Sequence, residues 1–497
     1  MHCNINAAVP VDILTGFLYN QRHIGRRLMI DFQYSSPKIS KKAQRLITRD
    51  KKVMFGAHTR TREIPLVVDH AKGAWITDIN GKVFLDFGAG FAVVGAGHCP
   101  TEVIRAAHEQ LKKLIHISGS DFYYESQVAL AEKLVKITPG KFAKRIYFGS
   151  SGAESTEASL KIARYYTRRP RMISFIGAFH GRTFAGMTMS GSKKIQRAHF
   201  SSLIPEVYHV PYPYCYHCIF NDTYPECIIG DYEGVPLLRC LSYLTEVVFE
   251  RLIDPEDIAL IMVEPIQGEG GYIVPPKEFL PALRKIADKF GIILIFDEIQ
   301  SGLGRTGKWF ACDHVGIVPD VIMVAKAIAS GLPMSATVAK AKFMDPTVDA
   351  RAWVPGAHGS TFGGNPVIAA AALASLKLIE GGLIANAAKI GAFLKQGLID
   401  IMNRHKVIGE VRGLGLMMGL ELVQNKETKE HFPKTVTRDG KNIKEVITGE
   451  CYKRGLIIYG AGFNSLRISP PLVITSDDAQ QALSIIDEVI DRIESQL

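Results

Sequence analysis

The stretch GIILIFDEIQSGLGRTGKWFACDHVGIVPDVIMVAKAIASGLP, residues 291–333, decides the fold. It holds two short apolar runs, Ile292–Phe296 and Val321–Val324, each the length of a buried strand in a parallel sheet. Both lead into charge: Asp297 and Glu298 close the first, and Lys326 follows the second after a single alanine. Ligands of open α/β sheets gather at the carboxyl ends of strands, so this spacing presents an acid and a lysine to one crevice. Lys326 lies between Ala325 and Ala327 with no carboxylate close in sequence. Taken alone, such a lysine reads as a helix-start residue reaching solvent. Buried, its pKa falls and the free amine can condense with a carbonyl.

Outward from this stretch, apolar runs ending at Phe148, Ile176, Val263, Phe296 and Val324 alternate with helical segments. One of these, Glu278–Phe290, places Phe279, Leu283, Ile286 and Phe290 on one face. The alternation predicts an α/β unit with a mostly parallel sheet covered by helices on both sides. Upstream, residues 38–60 are basic and helical in tone, and WITDINGKVFLDF reads as a hairpin around Asn80-Gly81. GAGFAVVGAGHCP reads as a loop, and Glu102–Lys113 and Gln127–Ile137 as helices, the second ending at Pro139-Gly140. Downstream, Asn365-Pro366 caps an alanine-rich helix expected to stop at Gly381-Gly382. VRGLGLMMGLELV is strand-like, and RISPPLV leads into a terminal helix with Ala479, Leu483, Ile486, Ile490 and Ile493 on one stripe. The expected organisation is an N-terminal extension (1–37), the first part of a small α+β domain (38–95), a large domain (96–375), and the remainder of the small domain (376–497).

The chain has 497 residues, 47% of them hydrophobic, enough for a large core and more than one domain. Its longest apolar runs fall short of the roughly 18–20 residues of a membrane-spanning helix, so a soluble, cytoplasmic protein is expected. Formal net charge is +10, but the basic residues are dispersed and many precede residue 61. No basic stripe interleaved with aromatics marks a nucleic-acid binder. The opening MHCNINAAVPVDILTGFLYNQRHIGRRLMI carries Arg26-Arg27, but Asp12 interrupts its apolar part, so neither a signal nor a transit peptide fits. It is either a disordered arm or a stretch upstream of a start at Met29. The eight cysteines are scattered, which suits reduced thiols in a large chain. Cys215-x-x-Cys218 with Cys227 and Cys240 could ligate zinc, but no second close pair accompanies them. The expectation is a surface insertion with ordinary thiols and no metal.

Several other motifs carry chemistry. Ser150-Ser151-Gly152-Ala153-Glu154 follows one strand and opens a helix, where small residues and the helix N-terminus admit a phosphate; an ordinary N-cap reads the same way. Phe179-His180-Gly181-Arg182-Thr183 follows the next strand, placing an aromatic where it plugs the core or lies on a planar heterocycle. Glu264-Pro265-Ile266-Gln267-Gly268-Glu269 ends another strand, and glycine-flanked Glu269 would ordinarily be a solvated acid. His358–Pro366 is a glycine-rich loop before a capped helix.

In this order, SSGAE, FHGRT, EPIQGEGG, FDEIQSGLGRTG, PDVIMVAKAIASGLP and HGSTFGGNP resemble the class III pyridoxal-phosphate aminotransferases of fold type I, over about residues 40–495. The resemblance implies a fold type I enzyme with pyridoxal 5′-phosphate as cofactor and Lys326 as the amine that condenses with its aldehyde. It implies that Asp297 holds the pyridine nitrogen protonated, so that the ring takes up electrons from Cα. Gly152 and Ala153 amides would hold the phosphate, Phe179 would stack on the ring, and Gln300 would contact the ring hydroxyl. His180 and Glu264 are implied cofactor contacts. Thr361 would reach a partner subunit's cofactor phosphate, which makes a homodimer the active unit. Arg182 would take a substrate carboxylate through its planar fork. Glu269 would pair with Arg467 as a gate, opening when Arg467 holds an α-carboxylate and closed for a terminal amine. Phe91, beside the substrate, stands where the family more often carries a smaller aliphatic residue.

Within the class, GLGRTGKWFA and EPIQGEGGYIVPP are most similar to 4-aminobutyrate aminotransferases. The activity implied is transamination of an ω-amino acid with 2-oxoglutarate. Alternatives are an ornithine- or acetylornithine-type aminotransferase, or an amino-acid racemase on the same scaffold, since one lysine and one aspartate serve both outcomes. A cofactor-free binding protein would need neither residue.

Overall fold

The structure, a computed structural model, describes residues 32–54 and 64–497. The expected extension lies outside the described residues as far as residue 31. Phe32 is already buried, and its amide donates to the Val436 carbonyl at 3.1 Å.

Seven strands make the central sheet: β1 Lys144–Gly149, β2 Arg171–Phe175, β3 Val207–Val210, β4 Ile258–Val263, β5 Ile293–Asp297, β6 Val321–Val324 and β7 Ser335–Lys340. Their spatial order is β1-β7-β6-β5-β4-β2-β3, and β7 alone runs antiparallel to its neighbours. Every residue of β4, β5 and β6 is buried, which is why these strands read as unbroken apolar runs rather than alternating ones. One face packs on Phe279, Leu283 and Ile286 of the helix Phe279–Lys289 and on Leu130 and Leu134 of Glu125–Ile137. The other packs on Leu160, Ile162 and Ala163 of helix α1, Gly152–Thr167.

A second core lies against a four-stranded antiparallel sheet built from Ile408–Leu414, Met417–Leu422, Ser465–Ile468 and Tyr459–Ala461. The terminal helix Ser476–Glu494 buries Ala479, Leu483, Ile486, Ile490 and Ile493, as its stripe predicts. The two chain ends share a further sheet. Trp75–Asp78 and Val83–Asp86 form the expected hairpin, and Leu456–Ile457 pairs in parallel with the latter. The basic segment 38–60 forms the helix Lys41–Val53, and residues 55–63 lie outside the described ones.

Three details differ from the sequence reading. The strand-like stretch around residue 415 is two strands joined by a tight turn, because Gly415, at φ +54°, lets the chain reverse against the Thr306 and Gly307 backbone. The helix starting at Pro366 does not stop at Gly381-Gly382. It passes through a wide turn, Ile379–Leu383, with Gly382 at φ +149°, and continues as Ile384–Arg404. Glycines there permit a kink without the termination that a following proline would impose. By length and composition this joined helix is long and apolar enough to cross a membrane. Its Ala369, Ala372, Leu376 and Ile379 belong to the sheet's core, however, and Ala387, Ile390, Leu394 and Leu398 to the second. Third, the cysteine segment is not a simple surface insertion. Cys215, Cys218, Cys227 and Cys240 line one small cavity with Tyr212 and Leu238, and burial pushes the Cys215 thiol up to about 12.

Gly391 shows how closely the bridging helix sits on the hairpin: a methyl added there would stand 2.2 Å from the Gly415 carbonyl oxygen. Gly391→Ala is expected to destabilise the protein by about 1–3 kcal/mol, read as a lower denaturant midpoint at unchanged slope. An unaltered midpoint would mean that this packing yields freely.

Candidate functional site

Parallel pairing sets Asp297, the last residue of β5, beside Met323 of β6, three residues before Lys326. Lys326 opens the short turn Lys326–Ala329 at φ +43°, a backbone that a non-glycine residue adopts only when its surroundings hold it there. The turn is held: the Ser330 hydroxyl accepts from the Ala96 amide at 3.0 Å and meets the Ser375 hydroxyl at 2.8 Å. Desolvation lowers the Lys326 pKa, with Asp297, Glu264 and Glu269 pulling it up and Arg467 pushing it down. Strand ends and loops far apart in sequence thus converge on one amine.

Asp297 is buried. Its Oδ2 lies 2.7 Å from His180 Nδ1, and its Oδ1 accepts from the Ile299 amide at 3.0 Å. His180 is itself buried between strands, receiving Thr156 Oγ1 on its carbonyl at 2.8 Å. Burial works against its protonation, but the Asp297 contact raises its pKa overall. Glu264 accepts from the Phe179 amide at 2.7 Å and the Gly268 amide at 2.6 Å, fastening two strand-end loops together. Burial pushes its carboxyl up to about 7. Gln300 lies against Gly268, where an added methyl would meet its amide at 2.7 Å.

At the start of α1, Ser151 caps the helix by accepting from the Glu154 amide at 3.3 Å, and the Glu154 carboxylate takes the Ser150 amide at 2.5 Å. The Gly152 and Ala153 amides are left pointing out of the first turn, with no acceptor among the described residues. A methyl on Gly152 would stand 2.9 Å from Ile299 Cδ1, so α1 starts close against the β5 loop. Phe179 is half-buried, and the exposed Arg182 holds its guanidinium 5.8 Å from the Phe179 ring centre. Thr361 is exposed beside Phe362 and is not brought into the crevice cluster; its neighbour Ser360 donates to Glu154 at 3.3 Å.

Glu269 and Arg467 form the expected ion pair at 2.9 Å, with both side chains largely buried. Phe91, at φ +67°, lies 4.7 Å from the Arg467 guanidinium and stacks on Tyr459 at 4.6 Å. Two partners here escaped sequence reasoning. Tyr459 backs the Phe91 ring beside Arg467, and Lys193 holds the other Glu269 oxygen at 2.5 Å. Burial alone would raise the Glu269 pKa, but Arg467 and Lys193 together bring it below the ordinary range. Lys193 lies in SGSKK, which has the look of a solvated loop; its one distinguishing sign is its place just after the strand-end loop that carries Phe179.

These residues fit pyridoxal phosphate. His180 Nε2 and Gln300 Oε1 are buried without hydrogen-bond partners. The free α1 amides suit a phosphate, a desolvated amine suits an aldehyde, and a buried carboxylate suits a protonated ring nitrogen.

A family model described as aminotransferase class-III matches residues 57–490. An alanine/serine racemase of Pyrococcus horikoshii is 37% identical over 454 residues, covering 90% of this chain and 90% of the racemase. The 4-aminobutyrate aminotransferase of Escherichia coli is 36% identical over 430 residues, covering 86% of this chain and 94% of that enzyme. Among solved structures, an amine transaminase from an uncultivated Pseudomonas species in its PLP-bound form has a TM-score of 0.78 at 30% identity, over 88% of this chain and 98% of that one.

Glu298, next to Asp297, supplies a pH test of the site's frame. It accepts from Ser301 Oγ at 2.5 Å and the Cys312 amide at 2.9 Å, and burial pushes its carboxyl up to about 7. Its folded-state pKa exceeds the unfolded one, so the stability it gives is present below the unfolded value and is lost as pH rises through about 7. Glu298→Gln is expected to flatten the fall in melting temperature between pH 5 and 8, a window in which this one group contributes up to about 3 kcal/mol. An identical pH slope in the variant would remove Glu298 from the balance.

Proposed function

The chain belongs to the class-III aminotransferases, fold type I enzymes dependent on pyridoxal phosphate, and we propose that it passes the amino group of an ω-amino acid, 4-aminobutyrate or a close homologue, to 2-oxoglutarate. The observation that carries this reading is the Glu269–Arg467 pair. Closed, it presents a neutral wall to the chain of an amine that has no α-carboxylate. Open, it frees a guanidinium for the α-carboxylate of 2-oxoglutarate or glutamate. Lys193 makes the opening less costly, because Glu269 keeps one cation when Arg467 leaves it.

The remaining roles follow from position. Bound pyridoxal phosphate would supply an electron-accepting ring next to the carbon that bears the substrate's amino group. Asp297 keeps a proton on the ring nitrogen, with His180 behind it fixing the carboxylate's direction. The Gly152 and Ala153 amides would hold the phosphate, Phe179 would stack on the ring, and Gln300 would contact its hydroxyl. Glu264 fixes the loop that carries Phe179. Lys326 would hold the aldehyde and, once freed by the incoming amine, would move a proton from the carbon that bears the substrate's amino group. Arg182, at the crevice mouth, takes the distal carboxylate. The exposed Thr361 loop suits contact with a second copy's phosphate turn, so the active unit is a homodimer.

A second reading, racemisation of an α-amino acid, is favoured by the likeness to a racemase at 37% identity. It differs in taking an α-amino acid and in returning the proton to Cα, on the face opposite to its removal, instead of to the next carbon. One L-amino acid incubated with holoenzyme, with and without 2-oxoglutarate, separates the two. Keto-acid formation that needs the acceptor supports transamination, and loss of chirality without an acceptor overturns it.

Lys326→Ala is expected to abolish turnover while phosphate contacts still retain the cofactor, seen as a bound chromophore in an inactive protein. Arg182→Ala is expected to raise KM for 2-oxoglutarate roughly tenfold or more with a smaller change in kcat, as removal of a charge-assisted carboxylate contact does. An unchanged KM would move that role to another residue.

A further inference from the structure

The segment after β3 holds a second chemical cluster, apart from the crevice and unused in the reaction above. His217 closes the short turn Cys215–His217, Glu421 lies in the strand Met417–Leu422, and His431 follows the loop bridged at Asn425 and Glu430. One ligand atom from each of the three lies within 4.8 Å of the others. Among the described residues, no other group of three or more His, Cys, Asp or Glu side chains converges in this way. That includes the four cysteines lining the cavity beside it.

Two features separate this trio from an ordinary ionic network. First, His217 Nε2 and His431 Nδ1 are both buried without hydrogen-bond partners, although His217 Nε2 stands 3.5 Å from Glu421 Oε1. Unpartnered buried nitrogens are costly, and here two of them sit in rings only 4.0 Å apart between centres. Second, Glu421 is divided in its duties. Its Oε2 receives Arg412 Nη2 at 2.9 Å, Tyr214 Oη at 2.5 Å and Ser465 Oγ at 2.6 Å, while Oε1 faces the histidines. The Arg412 charge is shared with Glu410 at 2.7 Å, which moderates its repulsion of a cation nearby.

We propose that His217, Glu421 and His431 form a site for a divalent first-row transition-metal ion, zinc by preference, that fastens the segment after β3 to the C-terminal sheet. Two imidazoles and one carboxylate are a common zinc donor set, and an inward movement of about an ångström brings each atom to bonding distance. Arg412, Tyr214 and Ser465 hold the carboxylate from behind, as outer partners of metal ligands do. The ion bridges elements otherwise joined by a few polar contacts. The same strand pairing that sets Glu421 opposite Ser465 sets Gly419 opposite Arg467, so the site lies one strand repeat from the gate arginine.

The test uses the holoenzyme stripped with chelator, then given zinc or cobalt and dialysed. About one zinc per chain by elemental analysis is expected, with a raised melting temperature. Cobalt should give visible d–d bands and no thiolate charge-transfer band. His431→Ala and, independently, His217→Ala should each weaken binding roughly tenfold or more while keeping the cofactor chromophore, which reports that the variant has folded. No retained metal, binding in either histidine variant as tight as in the unsubstituted protein, or a thiolate band that disappears in Cys218→Ser would overturn the assignment.

Discussion

The contact between Asp297 and His180, deep under the sheet's carboxyl edge, is the constraint the rest of the structure depends on. A carboxylate at a strand end with every neighbour apolar would be expelled or protonated. Here one oxygen is held by an imidazole and the other by the Ile299 amide, so its direction is set before any ligand arrives. That direction needs β2 and β5 to lie in one sheet with β4 between them, and the spatial order provides it. The fully buried strands β4, β5 and β6, apolar up to Asp297, exclude water from beneath, and desolvation lowers the Lys326 pKa. The core's composition and the site's electrostatics are therefore one design.

Much of this was legible because the chemistry is local to strand ends. Runs that stop at a charge, followed by glycine, marked Asp297, Lys326, Glu264 and the start of α1, and each lies where its strand delivers it. The α/β alternation was legible for the same reason, since buried parallel strands leave no polar residues inside the run. Less visible was anything that depended on two distant segments meeting. Lys193 and Glu269 are 76 residues apart, and nothing in SGSKK distinguishes a lysine bound for a buried acid. The glycine pair at 381–382 misled because glycine both ends helices and permits them to bend. Only the packing of Ala387 and Leu394 into the second core decides between these.

The Glu269–Arg467 pair shows why a second cation matters. A buried ion pair is strong evidence of geometry and weak evidence of stability, because separating it strands a desolvated charge. With Arg467 as its only partner, Glu269 would resist any motion that freed the guanidinium. Two cations on two oxygens remove that dependence on one partner, and the Phe91 ring, stacked on Tyr459, lies 4.7 Å from the Arg467 guanidinium.

The same strand carries the argument outward. Ser465 and Arg467 are two residues apart on one strand, so their side chains share a face, one toward Glu421 and one toward Glu269. Arg412 joins the two neighbourhoods through the backbone, donating to the Gly271 carbonyl at 2.6 Å, two residues beyond Glu269. A methyl on Gly271 would stand 2.7 Å from Ser465 Oγ and 2.9 Å from Arg412 Nη2, so the loop carrying Glu269 lies in contact with the Glu421 network. A charge placed beside Glu421 would act on Arg412 and Ser465 first, and through them on the loop and strand that hold the gate's two halves. Tyr214 and His217 beside the cysteines meet Glu421, and Arg412 links Glu421 to the loop that carries Glu269.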